Sequence, residues 1–242
     1  MGDYQWEATS LEGFVQQVAV CYVGRGYFHY VTGWVPPKKD PASVDEKLIG
    51  RYKPDITKWA RARRKKAGLA NLQYIRLDRF FTLLATEGKH AFFEDEAPNI
   101  RDARRVALRV GGYTISYRRG HPHVRIAQQR YRELKAVFLD QALRRPAAEL
   151  AARLSGLPFE PYAPVRQQLF GILRAVNRAR KAAGLEPVPS SCIRLTRRIY
   201  RPFERRRDPS SAAQVIVPGG FILPPDIEAE VRRFITGPHS QK

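Results

Sequence analysis

Apolar residues recur along this chain in two rhythms, and the points where one gives way to the other mark out its elements. β-rich runs at residues 14–23 (FVQQVAVCYV) and 27–35 (YFHYVTGWV) flank Gly24-Arg25-Gly26, which predicts a hairpin. Residues 72–77, 80–85 and 90–93 predict a meander with Glu87-Gly88-Lys89 as a tight turn, and 106–110, 113–118 and 123–126 predict further strands. The helical rhythm takes over at residue 127, where Tyr131, Leu134, Val137 and Phe138 recur at three- and four-residue spacing. It returns briefly at 146–154 and most clearly in the stripe of Val165, Leu169, Ile172, Leu173 and Val176. Arg166, Arg174, Asn177, Arg178 and Lys181 occupy much of the remaining surface of that helix.

Two shorter helices are expected earlier. One is capped by Ser43 with Glu46 three residues on and runs through Ile49; the other is capped by Asp55 and carries Trp59 and the basic run from Arg61 to Lys66. A strand at 192–200, a strand–turn–strand at 215–225 and a helix at 226–235 close the pattern. The fold class this predicts is α+β, with antiparallel hairpins or a meander beside amphipathic basic helices. The proline-punctuated stretch 157–164 divides it into an N-terminal α+β domain, 1–156, and a C-terminal basic helix–strand domain, 157–242, with packing as one unit left open.

One pattern occurs twice. RKKAGL (64–69) precedes IRLDR (75–79), and RKAAGL (180–185) precedes IRLTR (193–197). Each copy predicts a helix with a basic last turn, a glycine stop at Gly68 or Gly184, a loop and a strand. Lysine and arginine in a last turn complement the helix dipole. That plainer reading does not account for Arg61, Arg63, Arg64, Lys65 and Lys66 together, since like charges at helical neighbour spacing repel. The expectation is therefore two pseudo-repeated helix–loop–strand units, each presenting a basic ridge.

Charge gives that expectation a ligand. Forty-three Lys+Arg against 23 Asp+Glu leave a net charge of +20, an excess that a polyanion would neutralise. The residues expected to meet nucleic acid are Arg61, Arg63, Arg64, Lys65, Lys66, Arg76 and Arg79 in the first copy. In the second they are Arg174, Asn177, Arg178, Arg180, Lys181, Arg194, Arg197 and Arg198. Most of these would touch phosphates, while Asn177 and Gln167 or Gln168 would read adenine edges and Arg174 or Arg178 guanine. DNA is expected before RNA, in replication, recombination or transposition of a mobile element, alone or within a larger nucleoprotein assembly. A structured-RNA-binding subunit of a ribonucleoprotein is one alternative.

The other alternative is a metal-dependent nuclease or strand transferase, and partial motifs bear on it. His121-Pro122-His123 with Tyr131 suggests two imidazoles holding a metal while a tyrosine attacks phosphate. Proline at the centre of that strand and a surface turn after Gly120 make the plainer reading. Pro54-Asp55 with Glu87-Gly88-Lys89 partly matches a metal-nuclease pattern, yet it reads as a helix cap and a hairpin turn. Glu94, Asp95 and Glu96 with Asp102 could hold Mg²⁺, although pairing of these acids with Arg101, Arg104 and Arg105 is the reading preferred. The run Arg25 to Val31 partly matches the aromatic strand of RRM domains, but the aromatic due at His29 is displaced to Tyr30, and packing into a core is preferred.

No Gly-rich phosphate loop is present, and no cofactor is called for. Cys21 and Cys192 lie outside any metal-binding spacing and are expected to be reduced, buried thiols. No run approaches the ~18 apolar residues of a membrane span. The acidic start MGDYQWEATSLEGF is unlike a secretory leader, so a cytoplasmic protein, nucleoid-associated if it binds DNA, is expected.

Overall fold

The structure, a computed structural model, describes residues 4–204. The expected elements at 215–225 and 226–235, and the cations Arg205, Arg206 and Arg207, lie outside the described residues. The fold is α+β and forms two compact units, one of residues 4–123 with 200–204, the other of residues 124–199. The stretch 157–164 runs inside the second unit.

In the first unit the strands are β1 (Glu7–Ala8), β2 (His29–Trp34), β3 (Leu72–Leu77), β4 (Phe80–Ala85) and β5 (Arg101–Asp102), ordered β1-β3-β4-β2-β5 in one sheet. β1 runs parallel to β3, and the other pairings are antiparallel. Its helices are α1 (Leu11–Gln16), α2 (Pro41–Tyr52), α3 (Lys58–Lys66) and α4 (Phe92–Asp95). β6 (Leu108–Val110), β7 (Tyr113–Arg118) and β8 (His121–Ile126) make a second, three-stranded sheet, in which Gly111 and Gly112, both at positive φ, close the β6–β7 hairpin. Val124 in β8 opens the second unit.

Both faces of the central sheet are covered, which is why all six residues of β3 are buried. Leu72, Tyr74, Leu83, Ala85 and Val31 form one face and pack with Tyr52, Leu48 and Ile49 of α2 and Phe92 of α4. The alternate residues Gln73, Ile75 and Leu77 face the side of α1, whose Phe14 meets Phe80 edge-on at 5.8 Å. Gly33 is required in β2 because the Phe81 ring lies across it and fills the place a Cβ would take.

The predicted hairpin at 14–35 is half right. Residues 29–34 form β2, but residues 14–23 continue α1 into a π-helical segment, Gln17–Tyr22, and a short 3-10 turn, Val23–Arg25. Buried pairs at Phe14–Val15, Val18–Ala19 and Tyr22–Val23 recur every four residues, a helical stripe that outweighs the β-propensity of valine. Residues 90–93 form no strand: the Phe92 N–H donates to His90 Nδ1 at 3.0 Å, the chain turns into α4, and Phe92 enters the core from a helix. The helix caps also move, from Ser43 to Asp40 and from Asp55 to Thr57, because those side chains accept the free N–H groups of the first turns.

The second unit is helical: α5 (Gln128–Gln141), α6 (Ala147–Ser155) and α7 (Ala163–Ala182). The stripe of Val165, Leu169, Ile172, Leu173 and Val176 is buried as predicted, and α5 and α7 pack together. The strand expected at 192–200 is absent; Ser190–Cys192 is a single 3-10 turn, and the chain beyond it is irregular. Side chains satisfy its backbone instead. Arg166 donates to the Leu195 carbonyl at 3.1 Å, and the Arg198 N–H donates to Glu160 at 3.1 Å.

Candidate nucleic-acid interface

The repeated RK-x-A-G-L segment is one helix-ending device used twice. At the end of α3 the N–H of Gly68 donates to the carbonyl of Lys65 and that of Leu69 to Arg64; at the end of α7 Gly184 donates to Lys181 and Leu185 to Arg180. Gly68 and Gly184 sit at φ 70° and 69°, the left-handed conformation this closure needs. The arginine that opens each motif reaches a carbonyl six residues on. Arg64 donates to Ala70 at 2.9 Å and Arg180 to Glu186 at 2.5 Å. Beyond the closure the two copies diverge: the first leads into β3 and the second into irregular chain, so two helix–loop–strand repeats are not confirmed.

This device separates the candidate cations into two populations. Arg180 is 3% exposed and also donates to the carbonyls of Ala142 and Arg145 at 2.7 and 2.8 Å. Arg61 donates to the Pro54 carbonyl at 2.8 Å. Arg64 is half-buried, and its charge, after burial itself, holds His90 below the usual histidine range. Asn177 bonds the Val188 backbone through both ends of its amide, and Gln168 does the same to Ile126, so neither amide is open to a base. Gln167 remains exposed.

The strand-borne arginines are likewise committed. Arg76 is 6% exposed, pairs with the buried Asp45 at 2.9 Å and with Glu7 at 3.2 Å, and donates to the Asp78 carbonyl. Burial opposes its charge, but the hydrogen bonds and charges of Asp45 and Glu7 outweigh that and raise its pKa. Tyr74 donates to the same Asp45 carboxylate, so burial and that hydrogen bond push its hydroxyl far above the ordinary tyrosine range. Arg79 donates to Pro36 and Lys39 carbonyls, tying down the turn before α2. Arg194 bonds Phe159 and Glu160, and Arg197 lies over the Tyr162 ring at 4.9 Å. These contacts remove Arg76 and Arg180 from any surface a polyanion reaches and hold Arg61, Arg64, Arg79, Arg194 and Arg197 to their own unit's backbone or rings.

The cations that stay in solvent are orderly. On α3 Arg63, Lys65 and Lys66 are exposed, with Lys58 and Trp59 before them, and the helix buries none of its nine residues. On α7 Arg174, Arg178 and Lys181 stand at i, i+4 and i+7 along one exposed face. Arg198 is exposed too. None of these side chains makes an ion pair or hydrogen bond among the described residues. Sequence reasoning placed Trp59 on this helix without giving it a role, and it passed over Lys58 and also Arg109, Arg118 and Arg119, which are exposed on the second sheet and its turn. The alternation Leu108-Arg109-Val110 was the available signal for Arg109.

Of the catalytic candidates, His121 and His123 lie on β8 in the first unit, and Tyr131 lies on α5 in the second, its hydroxyl 2.9 Å from where a Cβ on Gly171 would stand. Asp95 forms an ion pair with Arg51, Glu96 accepts from the Tyr52 hydroxyl at 2.9 Å, and Glu94 is exposed on α4. Arg104 binds Asp102 and Glu87, the former as expected, and its hydrogen bonds overcome burial to lower the pKa of Asp102. Among the described residues no three His, Cys, Asp or Glu side chains gather where they could hold a metal ion. In the run Arg25 to Val31, Tyr27 and Tyr30 are buried in the core.

Cys21 and Cys192 are free thiols, the second buried. No helix among the described residues is long and apolar enough to cross a membrane. No protein family, curated protein or solved structure matches this chain.

Proposed function

We propose that the protein binds nucleic acid, DNA before RNA, through the exposed cations of α3 and α7. The observation that carries this reading is α3 itself: a nine-residue helix, KWARARRKK, with no buried residue and no acid. A helix with no fully buried residue gains little from hydrophobic burial and is held by its cap and by backbone bonds from Arg61, Arg64 and Asn71. Its cations repel one another at helical spacing, and phosphates would relieve that repulsion. The face of α7 repeats the spacing on a longer, well-anchored helix. The arginines on the exposed face of α7 fit the major groove of B-form DNA, whereas the major groove of A-form RNA is too narrow to read. Replication, recombination and transposition are the processes in which such binding would serve.

The test is binding of labelled duplex DNA, single-stranded DNA and structured RNA by fluorescence anisotropy over a salt series. The variants are R63A/K65A/K66A and R174A/R178A/K181A, all exposed positions that leave the caps intact. Every phosphate that a variant no longer neutralises should flatten the log–log salt slope by about 0.9 on duplex and about 0.7 on a single strand. Parent-like affinity and slope in both triple variants would end the reading.

A further inference from the structure

We infer that Trp59 makes the exposed face of α3 a stacking site for an unpaired base, so that the ligand of this helix is single-stranded nucleic acid. The inference rests on the nucleic-acid reading above and adds the form of polymer that α3 takes. Trp59 is 76% exposed, and among the described residues no other large aromatic side chain stands in solvent. Its ring has no aromatic, cationic or hydrogen-bonding partner among the described residues. It does not anchor the helix, because the side chains of α3 that are partly covered are those of Ala60, Arg61 and Arg64. The small Ala62 follows at i+3, so the next turn does not crowd the indole, and Arg63 and Lys66 continue along the same side at i+4 and i+7.

An indole offers the largest π face of any side chain, and leaving it in water forgoes the burial that tryptophan normally provides. A nucleobase covers such a face without regard to sequence, while cations one turn away meet the phosphates of the same strand. In a duplex the faces of the bases are already stacked on one another and only their edges are open, so a flat aromatic partner selects unpaired nucleotides. The surroundings speak against other occupants. Six of the helix's nine residues, Lys58, Arg61, Arg63, Arg64, Lys65 and Lys66, are cations, which an apolar protein groove would have to desolvate. A membrane-surface helix needs a broad apolar face, and α3 has one aromatic residue and two alanines.

The experiment measures binding of labelled oligothymidylate and of a labelled duplex by the parent, Trp59→Ala and Trp59→Phe, with helix content checked by circular dichroism. Because Trp59 lies in solvent, both variants are expected to fold as the parent does. Trp59→Ala should weaken oligothymidylate binding about 5- to 150-fold, Trp59→Phe should lose much less, and duplex binding should not change. Unchanged oligothymidylate affinity in Trp59→Ala, or an equal loss on the duplex, overturns the inference while the salt-dependent binding by Arg63 and Lys66 stands. A parent that binds neither polymer, or that binds anionic lipid vesicles in their place, overturns the underlying reading as well.

Discussion

Replacing Arg76 by alanine is expected to destabilise the first unit by about 3–5 kcal/mol while leaving nucleic-acid affinity in place. The magnitude comes from the groups that the guanidinium holds. Its Nε lies 2.9 and 3.0 Å from the two oxygens of Asp45, a carboxylate only 2% exposed. That carboxylate also accepts from the Tyr74 hydroxyl and from Trp6 Nε1 at 2.8 Å, so it would keep those hydrogen bonds but lose its counter-charge. Stranding one member of a buried ion pair sets the range. The pair with Glu7 adds little, since the Glu7 side chain is 64% exposed. The Asp78 carbonyl loses a donor at 2.6 Å, worth about 1 kcal/mol within that range.

Thermal unfolding followed by circular dichroism is the assay, and at about 2–4 °C per kcal/mol the midpoint should fall by about 6–20 °C. Tyr74→Phe, which removes one hydrogen bond to a charged acceptor, should cost about 1.5–3 kcal/mol. The double variant Asp45→Ala/Arg76→Ala should lose less than the two single variants together, because the second deletion removes the charge the first left unpaired. If Arg76→Ala melted with the parent and flattened the salt slope instead, the guanidinium would belong to the surface and the reasoning would fail.

A parallel contrast holds in the second unit. Arg180→Ala leaves the carbonyls of Ala142, Arg145 and Glu186 without their donor and should cost about 3 kcal/mol or more, whereas Arg178→Ala, on the exposed face, should stay within about 0.5 kcal/mol and weaken DNA binding. Acid should destabilise the first unit through His90. Burial and then Arg64 hold its folded pKa below the ordinary 6.5, so the unfolded chain takes the proton first. Stability from neutral His90 is complete above 6.5 and falls as pH drops from there through the folded value. His90→Asn, which can still accept from the Phe92 N–H, should flatten the unfolding profile in that window, and an unchanged slope would assign the acid limb to another group.

The elements that were legible are those whose signal is local. The helical stripe of α7 carries a period that its own burial reproduces, and strands β3, β4 and β7 stand where their β-rich runs placed them. The elements that were misread depend on partners. Residues 193–197 spell the same Ile-Arg-Leu alternation as 75–79, but β3 lies between β1 and β4, whereas the later segment forms no ladder and leaves Leu195 63% exposed. Alternation says which face a strand would bury and not whether a neighbouring strand exists. The arginines obeyed the same logic. Nothing in the letters Ile-Arg-Leu distinguishes Arg76, whose fate was set by Asp45 thirty-one positions earlier, from an arginine facing water.

The two RK-x-A-G-L segments resolve into shared geometry and unshared surface. Helix closure explains the first arginine, the glycine and the leucine of each copy, because each has a backbone group or a left-handed φ that depends on it. It leaves Arg63, Lys65 and Lys66 on one helix and Arg174, Arg178 and Lys181 on the other without a structural task. A cation that closes a helix is satisfied within the chain, while exposed cations at i, i+4 and i+7 with no acid beside them repel until a ligand intervenes. On α3 that ligand must also account for an indole in open water, which phosphate alone does not, and an unpaired base beside its own phosphate supplies both contacts from one strand.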